Sequence, residues 1–174
     1  MDKKVFVIGG CRSGKSRQAL ETAETLSSTN PVFIATCTPS DDEMKQRIAR
    51  HQQERSRAWR TVEAPLQLVQ AIADAGNQAG VLLVDCLTLW INNQLMANHD
   101  PEHILEQIER LTRAVEAAKC PVILVSNEVG TGIVPQNRLA RLYRDLVGTA
   151  NQAVARCVDQ VVWMVAGIPV TIKG

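Results

Sequence analysis

Short apolar runs alternate with longer amphipathic stretches along most of the chain. The runs at residues 4–8, 31–36, 81–85 and 121–126 are continuous and rich in β-branched residues. Such runs are typical of strands that are covered on both faces of a parallel sheet. The stretches between them place apolar residues three and four positions apart, which predicts helices over 16–26, 41–57, 66–75, 101–118 and 137–155. A further helix is expected to begin near Leu87.

The C-terminal end has a different pattern. Two strands are predicted there, at residues 160–165 and 169–173, with only a few residues around Gly167 between them. Because such a short connection cannot hold a crossover helix, these strands should form an antiparallel hairpin. We therefore expect a single α/β domain over residues 1–174, with a doubly wound, mostly parallel sheet and an antiparallel C-terminal hairpin.

Composition excludes several classes of protein. The chain has 19 basic and 18 acidic residues, so no overall field favours nucleic acid or an anionic membrane. No apolar run approaches the roughly 18 residues of a membrane-spanning helix, and the apolar patch after the first lysines is too short for a signal peptide. The five cysteines are scattered and lack C-x-x-C spacing, which predicts reduced thiols rather than disulfides or a zinc site. We therefore expect a cytoplasmic protein.

The clearest chemical motif follows the first predicted strand. It has the pattern G-x-x-x-x-G-K-S between a strand and a helix, which is the context that a phosphate-binding loop requires. Its glycines let backbone N–H groups converge on phosphate oxygens at the positive end of the helix. Lys15 is then expected on the β- and γ-phosphates and Ser16 on Mg²⁺. The motif comprises Gly9, Gly10, Cys11, Arg12, Ser13, Gly14, Lys15 and Ser16.

This loop and the strand–helix alternation together predict a P-loop NTPase fold of the RecA-like type. The simpler alternative for the motif is a glycine turn with a surface lysine. Asp85 ends the third apolar run, where a carboxylate faces the ligand crevice and can hold Mg²⁺ directly or through water. Asp85 could instead cap the helix that begins near Leu87. Glu128 has a similar placement after the fourth run, and both interpretations stay open for it.

A histidine lies on one of the predicted helices. Ser40 and Glu43 have capping-box spacing, and Met44, Ile48 and His51 then fall on one stripe of the helix. A histidine on such a stripe is usually a packed residue. A neutral imidazole can also attack phosphorus and carry the transferred group as a phosphoramidate. The residues alone leave both roles open.

Several segments together resemble the bifunctional adenosylcobinamide kinase and adenosylcobinamide-phosphate guanylyltransferase family of cobalamin biosynthesis. They are GGCRSGKS, IAT, DDEMKQRIARHQQERSRAWRTVE, VDCLTLWINN and SNEVGTGIVPQNRLARLYRDLVGTANQ, and the resemblance extends over residues 4–173. It implies an enzyme that phosphorylates adenosylcobinamide with GTP or ATP. The same enzyme then transfers GMP from GTP through a GMP-histidine to the cobinamide phosphate, which gives adenosylcobinamide-GDP and pyrophosphate.

The resemblance also implies residue roles. His51 matches the histidine that carries GMP, and Lys15 the phosphate-binding lysine. Further nucleotide-binding positions match Ile34, Ala35, Thr36, Gln52, Gln53, Glu54, Arg55, Glu63 and Asp85. Without the family, Thr36 is a strand-end hydroxyl, Arg55 a solvated helix charge and Glu63 an exposed carboxylate.

This chain departs from the family pattern at three positions. Gln52 replaces a residue that is often basic, Ser56 a proline, and Cys11 a small inert residue. The family forms homotrimers, and apolar residues of the helix after Asp85 fit either a subunit interface or an ordinary buried helix. Two other functions remain open, namely a P-loop kinase for another small metabolite with a structural His51, and a non-catalytic nucleotide-binding switch.

Overall fold

The computed structural model describes residues 2–27, 29–38, 56, 58–97 and 100–174. In these ranges, one sheet of seven strands is flanked by helices. The strands are β1 (Lys4–Gly9), β2 (Pro31–Ala35), β3 (Arg60–Glu63), β4 (Val81–Asp85), β5 (Val122–Asn127), β6 (Gln160–Val165) and β7 (Ile168–Lys173). The helices are α1 (Lys15–Leu26), α2 (Leu68–Ala75), α3 (Leu87–Met96), α4 (Pro101–Ala117) and α5 (Arg138–Cys157).

The sheet has the strand order β3-β2-β4-β5-β1-β6-β7. Every neighbouring pair is parallel except β6 and β7, which run antiparallel. The doubly wound fold and its antiparallel C-terminal hairpin are therefore confirmed. Every residue of β1 is buried because helices cover both faces of the sheet, and this explains the continuous apolar run in the sequence.

Alternate residues of β1 supply two separate cores. Val5 and Val7 pack with Ala19 and Ala23 of α1 on one face of the sheet. Phe6 and Ile8 face the opposite core, which contains apolar residues from α2, α3, α4 and α5. Leu87, Trp90 and Leu95 of α3 belong to that second core, so α3 packs as an ordinary buried helix. No helix in the described ranges is long and apolar enough to cross a membrane.

The strand β3 was not predicted from the sequence. Three of its four residues are exposed, and only Val62 packs against the core. The search for continuous apolar runs selects strands that are covered on both faces, whereas β3 lies at the edge of the sheet. The helix predicted over 41–57 lies almost entirely outside the described residues.

The C-terminal hairpin turns through Ala166 and Gly167. Both residues have positive φ, 51° and 82°, as expected for a two-residue hairpin turn with the twist of its strands. All of β7 is exposed. Because Trp163 pairs with Val170 and Val165 with Ile168, their side chains share one face of the hairpin. The exposed apolar face of the hairpin comprises Trp163, Val165, Ile168, Val170 and Ile172, which are between 42% and 64% exposed.

Candidate nucleotide-binding site

The phosphate loop connects β1 to α1 at the carboxyl edge of the sheet. Gly14 precedes the helix with φ of 90°, a conformation that favours glycine. A Cβ at Gly9 would lie 2.6 Å from the Ser13 Oγ and 2.7 Å from the Met164 carbonyl oxygen, so this position has no room for a side chain. No side chain caps α1. The N–H groups of its first turn therefore remain available to an anion.

Lys15 reaches across the loop. Its Nζ donates a hydrogen bond of 3.0 Å to the carbonyl oxygen of Gly10. A phosphate oxygen carries a negative charge and is a stronger acceptor than this carbonyl. Lys15 is also close enough to β4 to influence Cys86, whose thiol pKa is raised to about 12 by burial and by Asp85, while the charge of Lys15 opposes that rise. The loop and the end of β4 therefore share one electrostatic environment.

Three of the predicted nucleotide-binding positions lie side by side. Ala35 at the end of β2 pairs with Glu63 of β3 on one side and with Asp85 of β4 on the other. Glu63 is exposed and Asp85 is half-buried. The residue that caps α3 is Cys86, and no side chain bonds the helix end there. Asp85 is therefore not the capping residue of α3. It lies at the same edge of the sheet as the phosphate loop.

Thr36 has a structural task next to Asp85. Its Oγ1 accepts a hydrogen bond of 2.7 Å from the Cys86 N–H and donates one of 2.8 Å to the Cys86 carbonyl. The Asp85–Cys86 peptide that it holds is cis. Thr36 and the side chain of Ile34 are both fully buried. In this arrangement, the Thr36 hydroxyl fixes the backbone beside Asp85, and Ala35 is the more accessible residue of the segment.

A second loop, residues 128–137, follows β5 and lies beside the phosphate loop. The Glu128 N–H donates to the Gly9 carbonyl at 3.1 Å, which joins the starts of the two loops. The Glu128 carboxylate accepts a hydrogen bond of 2.6 Å from the Gly130 N–H. One oxygen of the Glu128 carboxylate therefore stabilises a turn within its own loop.

Two arginines of α5 hold this second loop, which we call the arginine-clasped loop. Arg144 donates to the carbonyls of Ile133, Gly130 and Gly132 at 2.6, 2.8 and 3.3 Å. Arg141 donates to the carbonyls of Pro135 and Gln136 at 3.0 and 2.6 Å. The apolar side chains at the tip point outward, since Ile133 is 95% and Val134 67% exposed.

Sequence reasoning missed the contact between the phosphate loop and the C-terminal hairpin. The Gly167 N–H donates to the Ser13 carbonyl at 3.2 Å, and Met164 of β6 packs against Gly9. The two ends of this contact are far apart in the chain, and the only local signal was a glycine in a predicted turn. The predicted positions His51, Gln52, Gln53, Glu54 and Arg55 lie outside the described residues.

Comparison with protein families identifies the chain. The model of the family described as cobinamide kinase / cobinamide phosphate guanyltransferase matches residues 5–172. The chain belongs to this family. Two relatives of this chain are each named a bifunctional adenosylcobalamin biosynthesis protein. CobP of Pseudomonas aeruginosa is 41% identical over 97% of this chain and 96% of its own length. CobU of Escherichia coli is 40% identical over 97% of this chain and 99% of its own length.

Solved structures show the same architecture. The RadB recombinase superposes with a TM-score of 0.55 at 14% identity, covering 92% of this chain and 73% of that one. The flagellar accessory protein FlaH from Methanocaldococcus jannaschii superposes with a TM-score of 0.53 at 11% identity, covering 98% of this chain and 78% of its own. At these identities, the likeness concerns the fold alone, and it confirms the predicted P-loop NTPase fold.

Proposed function

We propose that this chain catalyses both reactions in the name of its family, the phosphorylation of adenosylcobinamide and the guanylylation of the resulting phosphate. The observation that carries the proposal is the phosphate loop, in which Lys15 spans the loop beside the end of β4. The family membership of the chain supports the corrinoid as the second substrate.

In the kinase reaction, the hydroxyl oxygen of the corrinoid's aminopropanol arm attacks the γ-phosphorus of GTP or ATP. The bond from γ-phosphorus to the bridging oxygen breaks, and the nucleoside diphosphate leaves. Lys15 and the loop N–H groups bind the phosphate oxygens and stabilise the charge that develops on them. Positioning and electrostatics account for most of the acceleration in such transfers.

The described residues fit Mg²⁺ as the metal of this site. Mg²⁺ prefers oxygen ligands and is usually held by one or two protein groups together with substrate phosphates. Ser16 in the first turn of α1 and Asp85 at the end of β4 offer a hydroxyl and a carboxylate at the same edge of the sheet. The described ranges contain no group of three or more His, Cys, Asp or Glu residues that could hold a metal ion. When bound, Mg²⁺ would neutralise charge on the β- and γ-phosphates.

In the transferase reaction, we propose His51 as the nucleophile. Its imidazole nitrogen attacks the α-phosphorus of GTP, the bond to the bridging oxygen breaks, and pyrophosphate leaves. A phosphate oxygen of the corrinoid phosphate then attacks the same phosphorus and releases His51. This assignment rests on the match of His51 to the family pattern and on the nucleophilicity of a neutral imidazole.

The other nucleotide contacts in this proposal follow the family pattern. The alignment of Ala35, Glu63 and Asp85 at one edge of the sheet supports them as a group. The full set comprises Gly9, Gly10, Cys11, Arg12, Ser13, Gly14, Lys15, Ser16, Ile34, Ala35, Thr36, Gln52, Gln53, Glu54, Arg55, Glu63 and Asp85.

We also propose that the enzyme works as a homotrimer in the cytoplasm. The exposed apolar face of the hairpin supports an assembly, because contiguous exposed apolar surface of this kind often marks a protein interface. The five free cysteines fit a reducing compartment. Light scattering of the purified protein gives the number of subunits, and a monomer at micromolar concentration would contradict this part of the proposal.

Two variants test the two activities. His51→Ala should abolish the transfer of label from α-³²P-GTP to the protein while much of the kinase activity remains, because only the transferase step uses the imidazole. Lys15→Ala should lower kcat/KM for the kinase about 100-fold, the order of magnitude for removing one charge-stabilising donor. Arg17→Ala is the matched control, since Arg17 lies on the same helix in an exposed pair with Glu21.

The outcomes also separate the alternatives. If His51→Ala keeps the covalent label, the assignment of the nucleophile is wrong. If the unmodified chain is never labelled but phosphorylates a small hydroxylated metabolite, it is a plain kinase. If it binds GTP tightly and forms no product with corrinoid, the nucleotide-binding switch is the better account.

A further inference from the structure

The turn of the C-terminal hairpin packs against the phosphate loop. The Gly167 N–H donates a hydrogen bond of 3.2 Å to the carbonyl oxygen of Ser13. A Cβ added at Gly14 would lie 3.5 Å from the Gly167 Cα and 3.6 Å from the Met164 Cε, so the turn and the end of β6 are in close reach of the loop. The hairpin therefore touches the loop at the peptide unit between Ser13 and Gly14.

The contact with Gly167 also fixes the direction in which the peptide between Ser13 and Gly14 faces. In a planar trans peptide, the C=O and the N–H point in opposite directions. Because the Ser13 carbonyl points toward Gly167, the Gly14 N–H points away from the hairpin. None of the described residues accepts a hydrogen bond from this N–H. A donor in the middle of a phosphate-binding motif is thus held in one direction, with no acceptor among the described residues.

We propose that the Ala166–Gly167 turn is a positioning element of the phosphate site, which fixes the Ser13–Gly14 peptide so that the Gly14 N–H faces the phosphate. This inference rests on the proposed binding of nucleotide to the loop. Glycine rotates easily, so the untethered peptide could turn its carbonyl toward the anion. The hydrogen bond from Gly167 opposes that rotation before the nucleotide arrives, which is how preorganisation raises affinity.

The hairpin is well placed for this task. Its first strand β6 pairs directly with β1, and Met164 lies opposite Gly9, where the phosphate loop begins. Loop and hairpin are therefore fixed to the same part of the sheet. The second strand β7 is exposed along its whole length and buries little of the core. Core packing therefore does not explain β7, whereas completing the turn beside the phosphate loop gives this strand a role.

The chain allows a direct test, because Cys157 provides a ligation site upstream of the hairpin. Residues 1–156 prepared as a thioester can be joined to a synthetic peptide of residues 157–174. In one product, glycolic acid replaces Gly167, so that an ester oxygen replaces the N–H that bonds to Ser13. In the control, D-alanine replaces Gly167, which keeps the N–H and suits a φ of 82°. The all-amide product is the reference.

Binding of GTP and of pyrophosphate is measured for each folded product by calorimetry, together with its melting temperature. We expect the ester to weaken both ligands about 5- to 10-fold, the range for one lost hydrogen bond. The D-alanine product keeps this hydrogen bond, so its affinities should stay within about 2-fold of the reference. An ester product that is folded and binds both ligands like the reference would overturn the proposal. If the reference itself binds neither ligand, the proposed nucleotide site fails instead.

Hydrogen exchange of the unmodified protein tests the same coupling if the ester product does not fold. Binding and the Gly167 hydrogen bond should stabilise each other by the same factor, because coupling between two sites is reciprocal. Saturating GTP should therefore slow the exchange of the Gly167 amide about 5- to 10-fold. Exchange of that amide at the same rate with and without bound GTP would overturn the proposal.

Discussion

Two loops leave neighbouring strands of the same sheet edge, yet they are stabilised in opposite ways. In the phosphate loop, the carbonyls of Gly9, Gly10 and Ser13 are bonded by other backbone groups or by Lys15. The backbone N–H of Gly14 is left without a partner among the described residues. In the arginine-clasped loop, two guanidinium groups from α5 bond the carbonyls. The side chains of Ile133 and Val134 then face solvent.

Because of this difference, the two loops offer different chemical groups to a partner. The phosphate loop offers backbone donors to an anion, and this requires glycines, close packing and exact peptide orientation. The arginine-clasped loop offers side chains on a backbone in which five carbonyls are already bonded by Arg141 and Arg144. We therefore expect the phosphate loop to be sensitive to the addition of a single methyl group. The other loop should be sensitive to loss of its arginines and tolerant at its tip.

Among the glycines of the two loops, an added Cβ should have its largest effect at Gly9. The new atom would lie 2.7 Å from the Met164 carbonyl and 2.6 Å from the Ser13 Oγ, so β1 and β6 must move apart. Gly9→Ala should lower the free energy of unfolding by about 2–3 kcal/mol, as other overpacked cores do. Gly132→Ala in the arginine-clasped loop is the matched control, because a Cβ there has no atom within 4 Å. Equal urea midpoints for the two variants would contradict the comparison.

Removing a clasping arginine should loosen the second loop. Arg144→Ala leaves three carbonyls without their donor, and we expect a loss of about 1–2 kcal/mol in unfolding free energy. Limited proteolysis should cut residues 128–137 several-fold faster. The exposed Arg138 lies on the same helix, and Arg138→Ala should leave both measurements unchanged within about 0.5 kcal/mol. Cleavage of the two variants at equal rates would refute the role of the clasp.

The tip of the second loop should tolerate change best. Ile133 is 95% exposed, so Ile133→Ser removes almost no buried apolar surface. Its unfolding free energy should stay within about 0.5 kcal/mol of the unmodified protein in urea titrations. A larger loss would mean that Ile133 is buried in solution, for instance by another subunit, and the picture of an open tip would then be wrong.

The sequence predicted the features that are encoded locally. The buried strands appear as apolar runs because helices cover both faces, and the phosphate loop is recognised because its determinants lie within Gly9–Ser16. Strand β3 was not predicted, because it lies at the edge of the sheet and only its Val62 packs against the core. The Gly167–Ser13 contact and the clasp by Arg141 and Arg144 depend on how distant segments meet. No local pattern encodes such contacts. The role of Thr36 was not predicted either, because its hydrogen bonds to Cys86 form only when β2 pairs with β4.

The central claim is that one GTP is bound by the phosphate loop and transfers its nucleotide to His51. The most direct measurement incubates the purified chain with Mg²⁺ and GTP labelled at the α-phosphate, and then maps the covalent adduct by mass spectrometry. The account predicts one GMP group on the peptide that contains His51, through a bond that is labile to acid and stable to base. A labelled peptide that lacks His51, or no adduct in a protein that binds GTP, would contradict it.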